Sequence, residues 1–191
     1  MAIKQFSLEG IDIEIHLAGD ILLCILHMIL FHRCLGPVTS KEVYNKDLKV
    51  TYVRCDDLKL EKIVNEQVDI FNKFIFENIQ IRKHKIKLYF FEEIYKNIGP
   101  FKKKHKRYWE EWIINFRIVP SLNQITLQNN LIRQLGFIIQ ICNNNTDHLP
   151  PINTHDTISY SFEIELQDLN NLGMLQSFKD LIQTSSVGKI F

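Results

Sequence analysis

Between Ile21 and Phe31 the chain places eleven consecutive residues of which only His27 is polar. Read as a helix over 19–34, the segment is apolar nearly all round. Only Asp20 and His27, seven apart and so on one face, interrupt it before His32-Arg33. A helix without a polar face has to be enclosed on most sides, so the remaining chain must supply that enclosure. A membrane span needs roughly twenty apolar residues, so the run predicts a buried helix and no crossing. Gly36-Pro37 then stops it.

The elements that could enclose it are legible from period and caps. Residues 3–8 and 11–17 read as strands: Ile11, Ile13, Ile15 and Leu17 alternate with Asp12, Glu14 and His16, and Glu9-Gly10 offers a turn between them. Val50-Thr51-Tyr52-Val53 is β-branched and aromatic, hence a strand. Asp56 or Asp57 can cap a helix whose apolar positions run from Leu60 to Ile75 at helical spacing. Residues 79–91 alternate apolar and basic, which predicts strands with one polar face. The segment 92–108 reads as a loop. From Trp112 to Val119 the period is two, a half-buried strand. Ser121-Leu122-Asn123-Gln124 fits a capping box. It precedes a helix with a stripe of Ile125, Gln128, Leu131, Ile132, Leu135, Ile138, Ile139 and Cys142. His148-Leu149-Pro150-Pro151 is a stiff connector, and Tyr160, Phe162, Ile164 and Leu166 mark another strand. Residues 172–183 suggest a short helix. Strands in pairs with three long helices between them indicate an α+β domain over 1–184, with a loose tail over 185–191.

Composition narrows the function classes. The 191 residues are sized for one domain, and 46% hydrophobic with 24% charged is ordinary globular usage. The net charge of +1 is unevenly spread: residues 81–107 hold ten Lys/Arg against only Glu92 and Glu93. The four cysteines form no CxxC, which reads as free thiols in a reducing cytosol. Met-Ala-Ile-Lys-Gln does not begin a secretory leader. Cys24, His27, His32 and Cys34 are metal-ligand types, yet at about 100° per residue they point apart around the helix, so no metal or other cofactor is expected. No phosphate loop, nucleophile elbow or acid pair occurs, and no catalysis is expected.

Four segments resemble one known family. Leu26-His27-Met28-Ile29-Leu30-Phe31-His32-Arg33, Thr51-Tyr52-Val53-Arg54, Trp109-Glu110-Glu111-Trp112 and His148-Leu149-Pro150 occur in the order, and on the element types, of the autophagy-related protein 101 family. The resemblance implies a HORMA domain, with three helices packed on one side of a largely antiparallel sheet. It implies a non-catalytic adaptor in the cytoplasm, recruited to the phagophore assembly site within the kinase complex that starts autophagosome formation. Its implied partner is the HORMA domain of autophagy-related protein 13. Family members also carry an exposed finger loop with Trp-Pro-Phe before the Trp-x-x-Trp strand. Here Gly99-Pro100-Phe101 takes that place, with Gly99 where the tryptophan would be.

The finger candidates are therefore Pro100 and Phe101, with Trp109 as a stand-in for the missing aromatic, weighed against a plain packing role for Phe101 and Trp109. The heterodimer candidates are His32 and Arg33 at the helix exit and Phe137 on the third helix. The basic run Lys102, Lys103, Lys104, Lys106 and Arg107 is a solvated segment or a contact for an anionic membrane surface. No nucleic-acid or small-molecule partner is expected, because the run lacks the interleaved aromatics of a single-strand binder. The alternatives are a peptide-clamping HORMA protein of the checkpoint or chromosome-axis class, and a cationic nucleic-acid module. A clamp would need a long remodelling tail, and about 25 residues follow Leu166.

Overall fold

The computed structural model describes residues 3–8, 10–34, 38–98, 101–150, 160–166 and 187–190. Helix α1 (Ala18–Arg33) is enclosed as its composition requires: Ile21, Leu22, Cys24, Ile25, Leu26, His27, Met28, Ile29 and Leu30 are all buried. By length and composition Ile15–Arg33 would pass for a membrane span, but most of it lies inside the protein. It packs against α2 (Leu58–Glu77), α3 (Gln124–Asn144) and strand β4 (Val50–Cys55).

The main sheet has the order β1-β6-β5-β7-β8, with β2 also on β6. Its strands are β1 (Lys4–Ser7), β2 (Ile11–Ile13), β5 (Lys83–Ile98), β6 (Phe101–Ile118), β7 (Tyr160–Leu166) and β8 (Val187–Ile190). Pairing is antiparallel from β6 through β5 and β7 to β8, while β1 and β2 run parallel to β6. Alternation sorts the faces: Ile86, Leu88, Phe90, Trp112, Ile114, Phe116, Phe162 and Ile164 are buried, and Lys85, Lys87, Asn115 and Arg117 point the other way. Phe71 of α2 meets Phe116 at 5.8 Å between ring centroids, seating that helix on the apolar face. Among the described residues the result is the expected mixed α+β arrangement, three α-helices with a mostly antiparallel sheet.

Several local expectations are corrected. Glu9-Gly10 does not reverse the chain: β1 and β2 follow one another along the same edge of β6, and the second strand ends at Ile13 before a 3₁₀ turn over Ile15–Leu17. Strand β3 (Ser40–Asn45) pairs with β4 in a separate two-stranded sheet. Its side chains are mostly exposed, so it carries no apolar period to read. Lys49 closes that hairpin at φ 53°. Asp57 caps α2, its Oδ1 accepting from Lys59 N at 2.7 Å and Leu60 N at 3.2 Å. The cap of α3 is Asn123, which accepts from Ile125 N and Thr126 N, and not Ser121. Starting two residues later, α3 buries Leu127, Leu131, Gln134, Leu135, Ile138 and Cys142. Ile125 and Ile132, expected inside, are 67% and 50% exposed. Residues 187–190, expected as loose tail, form β8 against β7. The suggested helix over 172–183 lies outside the described residues.

Candidate functional site: a long hairpin, a buried carboxylate and the outer face of α3

The segment 92–108 is not a loop. It continues β5 and β6 as a hairpin in which Glu92 pairs with Arg107, Glu93 with Lys106, Ile94 with His105 and Tyr95 with Lys104. Its last pair is Ile98 with Phe101. Gly99 and Pro100 lie outside the described residues, as do the side chains of Phe101 and Lys102. Register places Phe101 at the head of β6, at the far end of the arm. The basic run is therefore one strand of a ribbon, with carboxylates opposite. Lys104 Nζ lies 2.8 Å from Glu93, Arg107 Nε 2.9 Å from Glu92, and Lys106 bonds Glu163 of β7. The Glu93 carboxylate raises the Lys104 pKa. Three of the five cations considered for a membrane surface thus have internal partners, while Lys103 is exposed. Such exposed pairs add little stability, but they lower the outward charge.

At the base of the arm the register shifts between Phe90 and Phe91, which face Glu110 and Tyr108 and leave Trp109 as the extra residue. Glu110 already shares the inward face of Trp112, and the bulge turns the preceding side chain inward as well: Trp109 is 5% and Glu110 0% exposed. Trp109 therefore does not stand in for a finger aromatic. It packs on Phe90 at 5.1 Å and faces His148 at 6.0 Å.

Glu110 gathers residues from four segments. Its Oε1 accepts from Arg33 Nε at 2.8 Å and from the Trp112 indole N–H. Its Oε2 meets His148 Nε2 at 2.6 Å. Arg33 also donates through Nη1 to the carbonyl of Cys142 at 3.1 Å. Phe6 of β1 closes the side, 5.0 Å from Trp112 and 5.9 Å from the guanidinium. A buried charge is tolerable only when paired and hydrogen-bonded, and both carboxylate oxygens are engaged here. Arg33 is 1% exposed. It is thus an internal strut and not part of a partner-facing surface, because the apolar neighbours of Glu110 force the counter-ion inside. His32, its neighbour, is half-buried; burial and then the Arg33 charge lower its pKa.

On α3 the side opposite the core carries Ile125, Ile132 and Phe137, the last 40% exposed as expected. Asn129, Gly136 and Gln140 lie between them, and Arg133 adds a cation. A Cβ at Gly136 would meet no atom within 4 Å, so the helix backbone is open there. Arg133, Gln134, Gly136, Phe137 and Gln140 line a shallow depression of about 370 Å³. Among the described residues no group of three or more His, Cys, Asp or Glu is placed to hold a metal.

The segments that meet at Glu110 are the ones that carried the resemblance: His32-Arg33, Trp109 to Trp112, and His148-Leu149-Pro150. A family model described as Autophagy-related protein 101 matches residues 10–156. That span holds the whole set of Arg33, Glu110, Trp112, Cys142 and His148. The chain belongs to the Autophagy-related protein 101 family. The Arabidopsis thaliana protein of that name is 30% identical over 189 residues, covering 86% of this chain and 85% of its own length. As a member of the Autophagy-related protein 101 family, the chain has an autophagy-related role. None of the four segments signals convergence by itself, since alternation puts Glu110 on the inward face of β6 without naming the side chains that meet it there.

Proposed function

We propose that this family member is a non-catalytic HORMA-domain adaptor of autophagosome initiation. It pairs with the HORMA domain of autophagy-related protein 13 and stabilises it within the initiating kinase complex. The pairing surface is the outer face of α3, with Ile132 and Phe137 as apolar anchors and His32 contributing at the end of α1. The single observation that carries this is the exposure of three large apolar side chains on that helix, with only one charge among them. Apolar side chains grouped on one exposed face mark an interaction site more often than scattered ones.

Phe101, at the far end of the arm formed by β5 and β6 and next to Pro100 in the sequence, then recruits later factors. The adaptor acts in the cytoplasm and is drawn to the phagophore assembly site. A peptide clamp would have to add a strand at the edge of β7, and β8 already occupies that edge. The test is affinity purification of the full chain from its own cell, wild type beside Phe137→Asp and Phe101→Ala. Wild type should recover an autophagy-related protein 13 homologue, Phe137→Asp should lose it, and Phe101→Ala should keep it while losing later components. Recovery of the homologue at wild-type level by folded Phe137→Asp would overturn the α3 assignment. A stable wild-type monomer with no such partner would overturn the adaptor itself.

A further inference from the structure

Two of the four cysteines sit at the end of α1 and of β4. Cys34 is the C-cap of α1, and Cys55 is the last residue of β4. The two elements run side by side: His27 stacks on Tyr52 at 6.1 Å, and the Val53 N–H points at Met28 Sδ, 3.5 Å away. From His27 to Cys34 a helix advances about 10 Å, and from Tyr52 to Cys55 a strand advances about 10 Å. The equal rises bring Cys34 and Cys55 to the same end of the two elements. At that end Asp56 N donates to Thr39 O at 2.8 Å, and Ser40 is registered opposite Cys55. Both thiols are free; Cys55 is buried and Cys34 is only half-buried.

We propose that Cys34 and Cys55 form a redox-active dithiol, closed to an intramolecular disulfide by peroxide-class oxidants and reopened by a dithiol reductant. The thiols are in hydrogen-bonding contact, Cys34 donating to the Cys55 sulfur. That bond holds Cys55 below the ordinary thiol range and Cys34 above it, so the pair loses its first proton as a unit. In the reaction the Cys55 thiolate takes the Cys34 proton while the accessible Cys34 sulfur attacks the peroxide. The O–O bond breaks, hydroxide leaves, and Cys34 becomes a sulfenic acid. The Cys55 sulfur then gives up its proton and displaces hydroxide from Cys34. The S–S bond forms, the S–O bond breaks, and the two hydroxides leave as water with the two thiol protons. One peroxide is reduced and two thiols are oxidised. The cross-link ties the end of α1 to β4 and thereby immobilises Arg33, the neighbour that holds Glu110.

The experiment uses the purified full chain, fully reduced and then exposed to hydrogen peroxide. Remaining thiols are counted by alkylation after denaturation, and the peptides are mapped without reduction. Two of the four thiols should disappear together, a Cys34–Cys55 linked peptide should appear, and dithiothreitol should restore all four. The Cys24→Ser/Cys142→Ser variant should behave like wild type. In Cys34→Ser the buried Cys55 should stay reduced, and a circular dichroism spectrum confirms that the variant is folded. Four thiols surviving would overturn the proposal. So would Cys34 reaching sulfinic acid beside a free Cys55, or a cross-link that joins two chains.

Discussion

Replacing Glu110 by alanine removes the carboxylate on which Arg33, Trp112 and His148 converge. Among the described residues Arg33 would then sit 1% exposed with only the Cys142 carbonyl as a polar partner, and the Trp112 N–H would lose its acceptor. Taking one member from a buried ion pair costs about 3–5 kcal/mol. At about 2–4 °C per kcal/mol for a chain of this size, the melting midpoint should fall by roughly 6–20 °C. Thermal unfolding followed by circular dichroism, with urea titrations at neutral pH, reads both quantities. Arg33→Met should cost a similar amount, because it strands the carboxylate. The double variant Arg33→Met/Glu110→Ala should lose clearly less than the sum, with a coupling of about 0.5–3 kcal/mol. If Glu110→Ala costs less than about 1 kcal/mol, or if the two single losses simply add, the cluster is not the strut described here.

His27 should make stability fall in mild acid. Burial first, then the Arg54 charge, push its pKa down to about 4. Its folded pKa thus lies below the unfolded value of about 6.5, so the unfolded chain binds the proton more readily. The stabilisation is complete above about pH 6.5 and is lost as pH falls toward 4; by pH 5 about 2 kcal/mol should be gone. Urea midpoints at pH 7 and 5 measure this, and His27→Phe should flatten that part of the profile. Asp57→Ala should cost about 1 kcal/mol by uncapping α2, read as a lower urea midpoint. Ile132→Asp or Phe137→Asp should leave the urea midpoint nearly unchanged while weakening partner binding by about 30-fold or more, the loss of a hot-spot anchor of about 2 kcal/mol, measured by calorimetry with the purified partner.

Much of the fold was legible because its elements have strong one-dimensional signatures. The run Ile21–Phe31 announced a helix that had to be covered. The alternation from Trp112 onward announced a half-buried strand, and Asp56-Asp57 announced a cap. Strand β3 was missed because an exposed edge strand needs no apolar period. The arm over 92–108 reads as a loop in sequence because it has no apolar alternation to mark a buried face. Ile132 and Ile125 were assigned to the core because nearly every side of α3 carries an apolar residue. Only the packing of α1 and the sheet decides which side is covered.

What the sequence by itself determined is the enclosed helix, the strand periods and the membership implied by four short motifs. These follow from local period and residue type, which each segment carries alone. Only the tertiary structure decided that three of those motifs meet at Glu110. Glu110 shares the inward face of Trp112, and its buried charge requires Arg33 and His148 as partners from segments distant in the chain. The physical reason is that burial is a property of neighbours. Whether a charged residue is a surface contact or an internal strut depends on what folds over it, and no local pattern encodes that.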